Sequence, residues 1–576
     1  LTGQMNGLIS KFADEYGTLR FDVPEGSYRL VLMSSRVLYD GTHVTENLSD
    51  PRYCVNLADR DATRKFIEVT HEKYFEVCGE EFGKSILAFF TDEPSLIAWH
   101  IRPGTFPMLP WHSSFPQEFK KRYGYPIVDA VLAVFRNAGE QTVKRRCDFW
   151  EFIADQVAAN YFGEIQEWCH AHGLKSSGHM LWEEKLCWHV HNYGSFYRCA
   201  KRLDWPGIDQ LSCVPQQLME ADYIPISRLL ASIADISGEK ESFTEFSDFA
   251  ATPQNVHISI DWIRATVNWH LAQGINNFTS YHLWNRYKDT EIRELNDYTA
   301  RLSQIMHQGK RDSRVAVLYP EATIWNAFNP SAGGDDAKEK NGHISRIDNV
   351  FAVTSWELLK SHIDFDYVDD QLLLDARLVN GKLLYKNRTY ECLILPAVEV
   401  LGKAIIDKIV AMLRAGVKVI FVGGEPELIR DNGDKIDFLS LLSEFVSNQD
   451  FERISATNEN MFKTSKLLPR TFRLQMKDYT AAVGAYNIPA DNLIRIQMTH
   501  SRILDDGTRL VMVANMGGSS FIGNIAIDTP CGDVRIADPH TGKIIAAKTT
   551  RQPNQTEIAV TLPAYDSLVF IIDPAR

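Results

Sequence analysis

The sequence predicts an α/β protein in three parts: a (β/α)8-type barrel, a smaller doubly wound, flavodoxin-like α/β unit, and a C-terminal antiparallel β unit. Three observations carry this. Strand and helix patterns alternate from about residue 18 to residue 310, the order that buries a parallel sheet under helices. After a polar break at 308–313 the alternation resumes in a different register. Beyond about residue 490 it gives way to short alternating strands separated by turns at 505–507, 517–519 and 541–542.

In the first part the strand candidates are 28–34, 86–91, 174–179, 208–212, 241–246 and 276–282. Helical periodicity fills 62–78 after the first, 115–123 and 148–171 after the second, and 258–273 before the last. Six strands do not close an eight-stranded barrel, so the expectation is an N-terminally truncated barrel whose first two strands lie upstream of Leu1. The second part has strands at 314–319, 365–368, 390–395 and 417–422 with helices at 350–361 and 403–415, a doubly wound pattern of about 130 residues. A stretch of mixed signal, 446–490, leads into the β unit. The expected division is 1–310, 311–445 and 446–576.

Charge and cysteine content narrow the function. With 61 Lys+Arg against 74 Asp+Glu, the net charge of −13 repels nucleic acid and anionic bilayers, and no basic stripe offsets it. No apolar run approaches the 18 residues a spanning helix needs, so neither a nucleic-acid nor a membrane partner is expected. The nine cysteines form no CxxC pair, which argues against a disulfide framework and for free thiols in a reducing, cytoplasmic compartment. The chain begins with Leu rather than Met, so a lost leader peptide stays open.

Parallel α/β folds present their chemistry at the carboxyl ends of strands. The apolar run ILAFF ends in Thr91-Asp92-Glu93-Pro94, which places two carboxylates at a strand end that the proline stops. The segment KESFTEFSDF delivers Glu245 in the same way, with Glu241, Phe243 and Glu245 on one side of the strand. Taken singly, each glutamate could be a capped terminus or an ion-pair partner. Together, at strands four and seven of an inferred eight, Glu93 and Glu245 are the two carboxyl groups that acetal hydrolysis needs. The remaining strand ends offer sugar-binding groups: Asp92, His179, Asp209, Gln210, Tyr281 and His282, with Trp182 and Trp284 as rings for the C–H face of a sugar. His170, His172 and the pair His189 and His191 lack a third ligand at a recognised spacing, so neither a transition metal nor another cofactor is expected. In the second unit Cys392 sits inside an apolar strand and GGEPE lacks the rest of a phosphate loop; both read as structural.

The run RKFIEVTHEKYFEVCGEEFGKSILAFFTDEPS, with KESFTEFSDF, DWIRATVNWHLAQGINNFTSYHLW and RVAVLYP, resembles large bacterial barrel glycosidases related to the α-L-rhamnosidases of glycoside hydrolase family 106. The unit from Arg314 to about Phe445 resembles the amidotransferase-like domain of family 42 β-galactosidases, and DGTRLVMVANMGG with DPHTGK and LPAYDSLVFII resembles the β-domain that closes such chains. The resemblance implies a glycoside hydrolase acting on a carbohydrate, with Glu93 matching the general acid and Glu245 the second carboxylate. In rhamnosidase-like relatives that second group activates water with inversion; in galactosidase-like relatives it attacks with retention. Asp92 stands where the galactosidase-like pattern has Asn, which weakens the retaining reading. A carbohydrate-binding barrel without activity is the rival from another class. An amidotransferase-like unit contributes to subunit contacts in similar chains, which leaves a homo-oligomer open.

Overall fold

The computed structural model describes residues 25–26, 55–96, 107–219, 224–239, 241–249, 257–330, 342–443, 445, 451–456, 461–462, 465–469, 472–476, 497–527, 531–553 and 555–575. The strand expected at 28–34 lies outside them. The other five barrel strands are present: β1 (Ala88–Asp92), β2 (Lys175–His179), β3 (Trp205–Gln210), β4 (Phe243–Phe246) and β5 (Asn277–Ser280), paired parallel in that order.

This sheet curls into a half-barrel, and the side chains say so. In a flat sheet β1 and β4 would lie about 14 Å apart, three strand spacings of about 4.8 Å. Yet the ring centroids of Phe90 on β1 and Phe243 on β4 are 5.6 Å apart. The glycine between them makes this possible: a Cβ on Gly207 of β3 would sit 2.1 Å from the Phe243 ring. Alternate residues, Thr244 and Phe246, turn outward onto His270 of helix Ile260–Gln273.

The helices that cover the outer face start and stop where local chemistry dictates. Ser259 caps helix Ile260–Gln273 by accepting from Trp262 N, and Gly274 ends it at φ 104°, a left-handed conformation that costs glycine least. The helix expected at 148–171 is longer, running from Thr142 to Ala171, and is interrupted by a π-helical stretch, Ala158–Gly163. Tyr161 of that stretch meets Thr91 of β1, hydroxyl to hydroxyl, at 3.2 Å. The single helix expected at 62–78 is instead two, Arg60–Val69 and His71–Cys78, broken at Thr70, whose φ of −119° leaves the helical range.

The doubly wound unit has a five-stranded parallel sheet. Its members are β7 (Val315–Leu318), β8 (Phe365–Val368), Cys392–Pro396, Lys418–Val422 and Phe451–Ile454. Numbered within the unit, their order across the sheet is 2-1-3-4-5, the flavodoxin-like order. The fifth strand falls in the stretch of mixed signal, because FERI is only four residues long and sets two adjacent charges between its apolar ends, which breaks the alternation expected of a strand. Two antiparallel sheets of six and four strands follow and share a core that includes Leu474, Val511, Ile525, Ile558 and Phe570. The short strand β6 (Lys310–Arg311), which links the half-barrel to the doubly wound unit, is itself the edge of the six-stranded sheet, paired with Gln497–Ile503.

Three aspartates and three arginines knit these parts together in the interior. Arg228 pairs with Asp364 at 3.0 Å, Arg311 with Asp235 at 3.1 Å and with Asp366 at 3.4 Å, and Arg388 with Asp235 at 2.9 Å. A fourth arginine, Arg502, donates instead to the carbonyls of Gln308 and Gly309. Among the described residues, no helix is long and apolar enough to cross a membrane.

Candidate active site

Four strand ends deliver the site. β1 ends at Asp92, and Glu93 follows with φ 43°, a left-handed backbone that costs a non-glycine residue about 1 kcal/mol. Its N–H donates to the carbonyl of His179 at 3.3 Å, and the register sets Asp92 directly beside His179. Gly178 makes that closeness possible: at φ 149° a Cβ would meet the Thr91 carbonyl at 2.3 Å. On the next pair of strands, Asp209 of β3 lies beside Glu245 of β4.

His179 is the hub. Its ring is buried, and Nε2 donates to Glu245 Oε2 at 3.2 Å while lying 3.5 Å from Asp92 Oδ1. A β2 side chain thus reaches a β4 carboxylate across β3, a consequence of the curl. Burial opposes charge on this imidazole, but the hydrogen bond it donates to Glu245 and the fields of Asp209, Glu245 and Glu93 outweigh it and raise its pKa. Nδ1 is buried without a hydrogen-bond partner.

The carboxyl groups around this hub do not share one environment. Glu93 is only 8% exposed, and burial pushes its carboxyl up to about 8; His179 opposes the rise, and Asp209, Asp92 and Glu184 add to it. Burial also raises Asp209 to about 6, with His179 again opposing and Glu245, Glu184 and Asp92 adding. The Glu245 side chain, 21% exposed, keeps access to solvent and receives the His179 N–H. A carboxyl that holds its proton near neutral pH and a second that accepts a hydrogen bond from an imidazole, both acting on the same His179 ring, are the two kinds of group that acid–base catalysis uses.

Tyr281, just beyond β5, belongs to the same group: burial and then the charges of Asp209, Glu245 and Glu93 raise its phenol, against a hydrogen bond with Ser247. Trp182 stands three residues after His179 at φ 55°, its ring 4.5 Å from that of Trp188. The two glutamates that follow were not singled out in the sequence. Glu183 is buried, accepts from Met180 N at 2.9 Å, and is raised well above the usual range by burial and then by Glu184, Asp209 and Glu93. Burial raises Glu184 as well, and its charge acts on Glu93 and Asp209. The signal was available, since LWEEK puts two adjacent carboxylates after a strand end just as TDEPS does.

Three expected sugar-binding residues are not gathered with the carboxylates. Gln210 is paired with Phe246, and alternation turns it to the face opposite Asp209. His282 is buried toward the helix side, where its Nε2 meets Cys213 Sγ at 3.2 Å and its ring packs on Phe246; burial lowers it to about 4. Trp284 packs on His282 and Tyr287 in a neighbouring aromatic patch. The reason is common to all three: each lies one step out of phase with the inward residues, or past the strand end where alternation stops. Among the described residues no group of three or more His, Cys, Asp or Glu side chains has an arrangement that could hold a metal ion.

The chain is 23% identical over 343 residues to a Formosa agariphila protein described as a β-glucuronidase, a match covering 55% of this chain and 26% of that protein. In fold it resembles a rhamnosidase from Novosphingobium sp. PP1Y, with TM-score 0.65, 15% identity, and coverage of 91% of this chain and 48% of the other. It also resembles a family 42 exo-carrageenase from Bacteroides ovatus, with TM-score 0.55, 12% identity and coverage of 93% and 72%. A family 42 β-galactosidase from G. stearothermophilus gives TM-score 0.55, 12% identity and coverage of 91% and 82%. The chain therefore spans about a quarter of the curated relative's length and about half of the rhamnosidase's. Residues 7–329, more than half of the chain and including every strand of the half-barrel, match the α-L-rhamnosidase family as a whole, and the chain belongs to that family, glycoside hydrolase family 106.

Proposed function

We propose that this protein hydrolyses a terminal α-L-rhamnoside-like glycoside with inversion, Glu93 protonating the leaving oxygen and Glu245 drawing a proton from the attacking water. The observation that carries the reading is the unequal environment of the two glutamates around His179. Glu93 is buried, and burial lifts its carboxyl to about 8, so it is protonated in neutral solution as a general acid must be. Glu245 stays accessible and receives an N–H from His179, which orients it. As water attacks the anomeric carbon, the C–O bond to the leaving group breaks. The Glu93 proton moves to that oxygen and a proton of the water moves to Glu245, leaving a free sugar of inverted anomeric configuration. Asp92, Asp209 and Tyr281 lie within the field of these groups and suit the hydroxyls of the departing sugar.

The test is Glu245→Gln with an aryl α-L-rhamnoside. Turnover should fall about 10³-fold while the melting temperature holds, because general base catalysis contributes about 10²–10⁴-fold. Proton NMR of the first-formed sugar should show the inverted anomer. Undiminished turnover would remove Glu245 from the mechanism, and a retained anomer would convert it to a nucleophile of the galactosidase-like kind.

A further inference from the structure

The loop between β2 and helix Leu186–Tyr193 carries Trp182, Glu183 and Glu184, and what holds it from behind comes from the doubly wound unit. The helix has no side-chain cap from Lys185, the residue at its own N-cap position. Instead Leu186 N–H donates at 2.7 Å to Asp348 Oδ1, a buried carboxylate on helix His343–Lys360, and the Cys187 thiol donates to the same group. One turn on, His189 is wholly buried and held neutral, since burial lowers it to about 3. Its Nε2 faces the Glu183 carbonyl, which can only accept, so Nε2 carries the proton; Nδ1 therefore accepts, and the Tyr319 hydroxyl donates to it at 2.9 Å. At the far end the carbonyl of Gly194 accepts from Trp325 Nε1 at 2.7 Å. Start, middle and end of one barrel helix are thus fixed by side chains of the second unit.

The same loop and helix also carry an indole pair and a charge that acts on the site carboxylates. Trp182 and Trp188 set their rings side by side, and Lys185 lies 5.3 Å over the Trp188 ring. The charge of Glu184 reaches both Glu93 and Asp209. Twisting the loop would move all of these together, because His179 immediately precedes it on β2.

We infer that Asp348 and Tyr319 are positioning residues of the active site: acting through Leu186 and His189, they hold loop 180–185 so that the Trp182 and Trp188 rings receive a second sugar ring, the one bonded to the sugar being released. The inference rests on the hydrolase reading above. Its occupant is a pyranose with an exposed C–H face, the partner that an indole pair suits.

The experiment compares wild type, Asp348→Ala, Asp348→Asn and Tyr319→Phe on two substrates, an aryl monosaccharide glycoside and a disaccharide glycoside, with backbone hydrogen exchange measured over 180–189. In Asp348→Ala and Tyr319→Phe the KM for the disaccharide should rise about five-fold, the worth of one lost cap, with kcat nearly constant and little change for the aryl glycoside. Asp348→Asn, whose amide oxygen still accepts from Leu186, should restore both KM and exchange protection. Unchanged KM and exchange would overturn the inference. So would an equal loss on both substrates that tracks the folded fraction. If wild type hydrolyses neither substrate the hydrolase reading fails by itself, and calorimetric binding of the disaccharide then decides: weaker binding to Asp348→Ala supports positioning, whereas equal binding, or none to either, refutes it.

Discussion

The molecule contains two clusters of buried charge built from similar residues and serving opposite ends. At the junction of the three sheets, Asp235, Asp364 and Asp366 meet Arg228, Arg311 and Arg388, three against three, with Asp235 and Arg311 each shared between two partners. Burial pushes Asp235 and Asp364 up, but the arginines beside them win and hold both below the ordinary carboxylate range. At the barrel mouth, Asp92, Glu93, Asp209 and Glu245 share one imidazole, and burial prevails for Glu93 and Asp209, which rise. Stoichiometry makes the difference. Where cations match anions, burial yields a rigid joint; where anions outnumber them, at least one carboxyl keeps its proton and becomes available for proton transfer.

Breaking each cluster should therefore give a different kind of damage. The largest effect expected is on rate: Glu93→Gln should reduce turnover of a glycoside with a poor leaving group by about 10²–10⁴-fold, and much less for an activated aryl glycoside that departs without protonation. An equal loss on both substrates would remove Glu93 from the acid role. Next in size is stability at the joint. Asp235→Ala strands Arg311 and Arg388 and should cost about 3–5 kcal/mol, read as a lower melting temperature or denaturant midpoint; a cost below about 1 kcal/mol would mean that water reaches the cluster. A third effect sharpens the contrast through pH. A carboxyl raised on folding stabilises the native state fully below its unfolded pKa, and that contribution is lost as pH climbs through the folded value of about 8. Glu93→Gln should then gain thermal stability relative to wild type at about pH 9 and little at about pH 5; a pH-independent difference would contradict the raised carboxyl.

How much of this was legible depended on the range of the contacts involved. The apolar run into Asp92-Glu93 and the alternation ending at Glu245 are local patterns; Glu245 lies where a strand period of two puts it, whereas Glu93 stands one residue past the end of β1 on a left-handed backbone that the sequence does not announce. His179 and Asp209 follow the same rule. Gln210 and His282 lie apart from the carboxylates, and a segment at a strand end gives no local sign of which way it faces. The π-helical stretch around Tyr161 leaves no mark in a 3.6-residue periodicity. Glu183 and Glu184 depend on a helix fixed by Asp348 and Tyr319, which are 162 and 130 positions from their partners Leu186 and His189. No window along the chain connects residues so far apart.

The short strand β6 has one more implication. Chain segments between structural units commonly act as pivots, but Lys310 and Arg311 are hydrogen-bonded into a sheet with Arg502 and Ile503, and Arg311 is gripped from the side by Asp235 and Asp366. A crossover that is stitched into a third body has no freedom to swing. Engineering that cuts or lengthens the protein here would unseat three bodies in a single stroke, whereas the exposed turn at 505–507 gives a tag or fused partner a place that leaves the frame intact.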